Sequence, residues 1–240
     1  MSFTSLEPLE NRSTLFAVLR QEQLGVLTDT LGEHRWDVDM QAGTLAFSSL
    51  HDPQRRIECR AHFIASIAPG PRSLLWGWAH PNGDPNGQAA ALRAYGEANG
   101  ITELTQPELP LLDLGDDPAA GVAQIAHQIG AVAIAITGRS PYYSSPLGGG
   151  SRAVFMLEAP LPPLTLAEAL PSLPRLIGTL PLRDARTAVW GLAQHAGWQL
   201  EWSDAEFTGA RLTDGSTNAA TFTFDQAGRI TGLQASLTQP

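Results

Sequence analysis

Lysine does not occur once in the 240 residues; all 15 basic side chains are arginine. That excludes a Schiff-base lysine mechanism and the lysine of a Walker-type phosphate loop. Cys59 is the only cysteine, so an internal disulfide and a cysteine-rich zinc site are both excluded. No G-x-S-x-G sequence is present. The six histidines, at 34, 51, 62, 80, 127 and 195, form no H-x-x-x-H pair, so nothing points to a metal, and no cofactor is expected. Basic residues are outnumbered by 24 acidic ones, for a net charge of -9. No basic patch is segregated, which argues against nucleic acid and against anionic membranes as partners. The longest apolar candidate, near Ala131–Ile136, falls far short of the ~20 residues that cross a bilayer. The N-terminal MSFTSLEPLENRS has no basic segment leading into an apolar run, so a cytoplasmic location is the expectation.

Hydrophobic residues make up 43% of the chain and charged ones 16%, which is the composition of a globular protein of one large or two small domains. The most distinctive stretch is Pro71–Pro81, PRSLLWGWAHP. Read as a strand, it places Arg72, Leu74, Trp76, Trp78 and His80 on one face and the small Ser73, Gly77 and Ala79 with Leu75 on the other. Before it, Ser13 caps a predicted helix over Thr14–Leu31, ended by Gly32. Strands are then predicted at Arg35–Gln41, Thr44–Ser49 and Gln54–Ile67. In the last of these Ile57, Cys59, Ala61 and Phe63 alternate with Arg56, Glu58, Arg60 and His62, one dry face against one wet or covered face. After it, Asp84-Pro85 predicts a helix start running to Ala98, and Asp117-Pro118 a second, as far as Gly138, with Ala131–Ile136 open to a strand reading. Ile101–Asp116 reads as irregular, and Arg139–Arg152 as a loop or irregular hairpin.

Leu161-Pro162-Pro163 is a stiff connector. Beyond it Thr165 and Glu168 match a capping box, Asp184–Ala196 a helix, and Asp214-Gly215 a hairpin turn between Phe207–Thr213 and Ser216–Phe224, followed by Arg229–Leu237. The fold class expected is α+β, two helix-led antiparallel β-meanders with intervening helices. The domains are residues 1–160, an N-terminal helix with a four-stranded meander and the following helices, and 161–240, helices plus an antiparallel meander; one continuous domain is the alternative.

Two groups of residues could carry function. Trp76 and Trp78 offer broad apolar faces with an N–H each, and Tyr142-Tyr143 in PYYSS are suited to contact surfaces; the competing reading makes them core. His80, Tyr95 and Glu97 end a strand and a helix, where a carboxylate could orient an imidazole, or where all three simply fix a turn. Leu147–Ser151 has phosphate-loop composition, but a strand is expected after it where a helix is needed. Cys59, on an apolar face, reads as an inert thiol. The main functional expectation is a non-catalytic binding or interaction module using an aromatic surface, with an unknown protein, peptide or small molecule, or a second copy, as partner. The alternative is a small-molecule enzyme or sensor with a His80/Tyr95/Glu97 cleft.

Trp76-Gly77-Trp78-Ala79-His80-Pro81, the following helix and Tyr95-Gly96-Glu97 resemble a family of uncharacterised bacterial proteins, a domain of unknown function. The similarity extends more weakly through Trp36 and to Pro141-Tyr142-Tyr143. The resemblance implies Trp-x-Trp-Ala-Asn-Pro, from which His80 departs. It implies a soluble α+β protein and supplies no activity.

Overall fold

The computed structural model describes residues 3–216 and 218–237. Among these the chain is α+β, with seven α-helices and eleven strands in two antiparallel sheets. It packs as two compact units, residues 3–10 with 21–161, and residues 11–20 with 162–237.

Helix α1 (Glu7–Asp29) contributes residues to both. It starts seven residues before the predicted Thr14: Pro8 sits in its first turn, where a missing N–H costs nothing, and Ser13 is buried mid-helix instead of capping it. In the first unit, β1 (His34–Asp39), β2 (Thr44–Ser49), β3 (Arg56–Ala68), β4 (Ser73–Trp76) and, after α2 (Gln88–Asn99) and α3 (Thr102–Thr105), β5 (Glu108–Pro110) lie in sheet order. Helix α4 (Pro118–Thr137) leads to the hairpin of β6 (Tyr142–Gly148) and β7 (Ser151–Glu158), and β7 docks on β3. Gly149 and Gly150, both at positive φ, make the tight turn of that hairpin, so the glycine run is a strand connection followed by a strand.

The 13-residue β3 is the hub. It pairs with β2 along Arg56–Arg60, with β4 along Ala65–Ala68 and with β7 along Arg60–Ile67. Its pairing with β7 shifts between Phe63 and Ala65. A bulge of this kind bends a strand and lets one partner leave and another join. Leu24 and Leu31 pack with Leu45, Phe47, Cys59, Ala61 and Phe155 in a core cluster, and α4 packs on β7, β6 and β3.

The bulge also ends the tryptophan strand early. Only Ser73–Trp76 is extended. The Gly77 N–H donates to the Ile64 carbonyl (2.7 Å), and the chain then turns, with Ala79 N–H on the Trp76 carbonyl and Gly83 N–H on the His80 carbonyl. Trp78 and His80 therefore lie in turns and not on the strand face predicted for them. The small residue at 77 matters: a Cβ there would sit 2.6 Å from the Phe63 carbonyl oxygen and 3.2 Å from the Ala89 Cβ at the start of α2.

Other boundaries shift for local reasons. Asp84 closes a turn, accepting the Asn86 N–H, and α2 begins only at Gln88. Ala131–Ile136 is helical as part of α4, which is capped by Asp117 as predicted. That helix has 20 residues and a mean hydropathy of 1.6, long and apolar enough to cross a bilayer, where the sequence reading found no such run; 67% of its apolar window is buried inside the fold, so it serves here as a core helix. The stretch expected to be irregular holds α3 and β5, the latter paired with β4.

In the second unit α5 (Leu166–Ala169) opens on the Thr165/Glu168 capping box, α6 (Leu173–Thr179) follows, and α7 (Ala185–Ala196) is capped by Asp184. The sheet of β8 (Gln199–Trp202), β9 (Gly209–Thr213), β10 (Ala219–Phe224) and β11 (Ile230–Ser236) is a simple meander. The Asp214 carboxylate accepts the Leu166 N–H, and the buried Trp198 donates its Nε1–H to the Leu164 carbonyl (3.1 Å). Thr217, inside the strand predicted over Ser216–Phe224, lies outside the described residues.

Candidate functional site

Between the stretch of β3 paired with β2 and the stretch paired with β4, one edge of His62 and Phe63 is left without a strand partner, while the other edge stays paired with β7, and a cleft of about 320 Å³ opens there. Its apolar lining residues are Val38, Ala61, Phe63 and Phe155. Its rim is polar: Asp39 from the end of β1, Arg60 and His62 from β3, Asn82 and Asp84 from the turns after β4, and Gln88 from α2. Its volume is at the low end of those of small-molecule sites, and its lining mixes apolar with polar and charged residues.

His62 is the best-fixed rim group. Its side chain is only 16% exposed, and Nε2 lies 2.9 Å from Glu158 Oε1. Arg139 Nη1 donates to the same oxygen at 2.6 Å. The hydrogen bond from His62, with the charges of His62, Arg139 and Arg60, holds the Glu158 carboxyl below its usual value against a burial penalty. An ionised carboxylate only accepts, so Nε2 carries a proton and donates it to Glu158. Nδ1 has no partner among the described residues.

Arg60 makes no hydrogen bond among the described residues, and its charge acts on Glu158, its cross-strand neighbour on β7. Asp39 uses Oδ1 to accept the Gln41 and Ala42 N–H groups, and Asp84 uses Oδ1 for Asn86, which leaves Oδ2 of each unbonded.

The residues singled out from the sequence are placed differently. Trp76 is fully buried, its Nε1–H on the Glu103 carbonyl (2.9 Å). Trp78 is half-buried under the Arg93 guanidinium, 5.0 Å from the ring centroid, and its buried Nε1–H has no acceptor among the described residues. Glu97 is exposed and pairs with Arg93 (2.9 Å), while the half-buried Tyr95 offers its carbonyl to Asn99. His80 stands edge-on to the cleft residue Phe63 (5.0 Å), accepts the Asn82 N–H on Nδ1, and is pushed to lower pKa by burial. No hydrogen bond or ion pair joins His80, Tyr95 and Glu97, so the trio is not assembled as a catalytic set.

Tyr142 is buried with its hydroxyl 2.7 Å from His127 Nδ1; burial raises the phenol and lowers the imidazole, so the pair is neutral. Tyr143 is half-buried, edge-on to Phe47 and Trp36. Cys59 is buried, and burial pushes its thiol up to about 11, which makes it inert at neutral pH. Among the described residues no group of three or more His, Cys, Asp or Glu is arranged to hold a metal ion.

The cleft residues Arg60 and His62 are missing from the sequence-based site. Their alternation on the wet face of a long strand was the available signal. Glu158, the partner that distinguishes His62 from a solvated histidine, lies 96 residues further on.

No curated protein and no solved structure matches the chain significantly. A family model does, over residues 7–160, a span that contains the whole cleft together with His62, Arg139 and Glu158. The chain therefore belongs to the family of unknown function DUF6882.

Proposed function

We propose that the chain is a binding module whose ligand is a small molecule held in the β3 cleft. One observation carries this: at His62 and Phe63 one edge of β3 pairs with neither β2 nor β4, and the space beside it is walled by Asp39, Arg60, Asn82, Asp84 and an imidazole, His62, already fixed by Glu158. A concave space bordered by apolar side chains together with several charged and polar ones is the setting in which a small polar ligand is recognised. The aromatic residues enter mainly as support. Trp76 and Tyr142 are core, while His80, beside Phe63, stands next to the apolar lining.

The enzyme reading keeps one specific support: a carboxylate-oriented imidazole with a free Nδ1 is the arrangement of a general base. The lining contains no serine, threonine or cysteine, which ranks binding ahead of covalent catalysis. A cytoplasmic setting is part of the proposal and rests on sequence alone.

Native mass spectrometry of the protein with separate pools of amino acids, amines, carboxylic acids and nucleosides tests the reading. One pool is expected to add a ligand mass. Gln88→Trp, which fills the cleft from α2, is expected to abolish it, with an unchanged circular dichroism spectrum; Trp202→Ala, on the other sheet, leaves it intact. Unchanged masses with every pool would refute the proposal.

A further inference from the structure

We infer that β11 is an interface and that its occupant is the β11 of a second copy of this chain. The meander of the second unit ends on one side at β8 and on the other at β11, and no described strand pairs with the outer side of β11. An edge strand offers unpaired N–H and C=O groups to any other strand, and edges that are not meant to pair are short, charged, proline-bearing or bulged. The other edge strands carry such devices. β1 has Arg35, Asp37 and Asp39, β6 has Pro146, β5 has three residues and ends on Pro110, and β8 has four, Glu201 among them. β11 has only a bulge at its start, where Thr231 is left over between Ile230 and Gly232. Residues 232–236 then pair with β10 without interruption, and they include no charge and no proline.

The core layer of this sheet runs out uncovered at the same edge. Across the strands Leu212 lies opposite Ala220 and Ala220 opposite Ala235, and Ala210 lies opposite Phe222 and Phe222 opposite Leu233. Ala210, Leu212, Ala220 and Phe222 are buried, but Leu233 is half-buried, Ala235 is exposed and Leu237 is 49% exposed. Alternation puts Leu233, Ala235 and Leu237 on one side of the strand and Gln234 and Ser236 on the other. A second β11, antiparallel and related by a two-fold axis normal to the sheet, continues each side with its own kind: apolar beside apolar, polar beside polar. Charge favours the same occupant. Two chains each at a net charge of -9 repel, so self-association is favoured at a segment without charge. Residues 230–237 have none, and Arg229 and Asp225 just before them neutralise each other at 2.8 Å. A foreign strand finds no charged group here to select it, whereas a second copy brings a matching row by symmetry.

Sedimentation velocity of the full chain tests this, at loadings up to about 100 μM because so small a contact holds at micromolar affinity or weaker. A reversible species of twice the 25.6 kDa chain mass is expected. Full overlap of residues 232–236 puts Gln234 opposite its own counterpart, so Gln234→Lys and Gln234→Glu each set like charges against each other at an exposed position. Each is expected to raise the dissociation constant about tenfold or more, and Ala235→Lys, one residue on, to act in the same way. Mixing Gln234→Lys with Gln234→Glu brings opposite charges together and is expected to restore a mixed dimer, a result that no folding defect produces. A wild-type chain that stays at 25.6 kDa across the whole range would overturn the inference. So would a dimer that neither charged variant weakens, because its contact would then lie elsewhere. Neither outcome bears on ligand binding in the cleft, so the two readings stand or fall separately.

Discussion

Trp76 buries its whole indole and places its Nε1–H on the Glu103 carbonyl, whereas Trp78, two residues later, lies half-buried in a turn beneath Arg93. Truncating the first removes packing and leaves a buried carbonyl unpaired. Trp76→Ala is expected to cost about 3–5 kcal/mol, and Trp76→Phe, which retains most of the ring volume, about 1–2 kcal/mol, read from urea unfolding. An equal, small effect of both would mean that Trp76 is not the core residue described here. Tyr142 supplies a second residue-scale case. Its hydroxyl satisfies His127 Nδ1 inside the first unit. Tyr142→Phe leaves that buried nitrogen without a partner, at a cost of about 1–3 kcal/mol. Because burial keeps both groups neutral, this cost should not change between neutral and mildly alkaline pH.

At the scale of elements, the signals that read true were local ones. Asp117 before Pro118, Thr165 with Glu168, and Gly138 each mark a helix end where the backbone needs that residue, and all act so in the structure. The Thr44–Ser49 strand has the bounds predicted for it. The failures have a different origin. The tryptophan strand stops at Trp76 because its neighbour β3 bulges, an event in another segment that the alternation of residues 71–81 cannot register. Asp84 caps a turn because α2 packs its Ala89 against Gly77, which sets where that helix begins.

Helix α7 yields a pH prediction. His195, in its last turn and stacked on Phe16 (5.4 Å), is lowered from 6.5 to about 4 by burial and then by Arg12. A helix C-terminus favours a charged histidine, but here desolvation wins. Above pH 6.5 both folded and unfolded chains hold it neutral, and its contribution is complete. Between 6.5 and about 4 the unfolded chain takes up a proton that the folded one refuses, so stability falls by up to about 3 kcal/mol, and below 4 the decline ends. His195→Phe preserves a stacked ring without titrating. Its urea midpoint, followed by tryptophan fluorescence, should lose this part of the acid dependence; identical profiles for both proteins would contradict the assignment.

For the whole molecule, the cleft explains why function was harder to read than fold. Its walls come from residues 38–43, 60–63, 82–88 and 155, and its fixed histidine depends on residues 139 and 158. Nothing in sequence spacing brings these together; the pairings of β3 do. The sequence pointed instead to tryptophans and tyrosines, residues distinctive by type, and those turned out largely to build the core. Composition did constrain the partner. A net charge of -9 predicts that the protein passes through a heparin column at low salt without retention; binding would reveal a basic surface that the sequence gives no sign of.

The cleft beside His62 and Phe63 is the proposed seat of the ligand. Amide chemical-shift mapping, with whichever pool component adds mass, locates it. The expected result is a set of shifts concentrated at Val38–Gly43, Arg60–Phe63 and Asn82–Gln88, with the β8–β11 sheet unmoved. Shifts centred on Trp202, Phe207 and Phe224 instead, with the cleft silent, would contradict it.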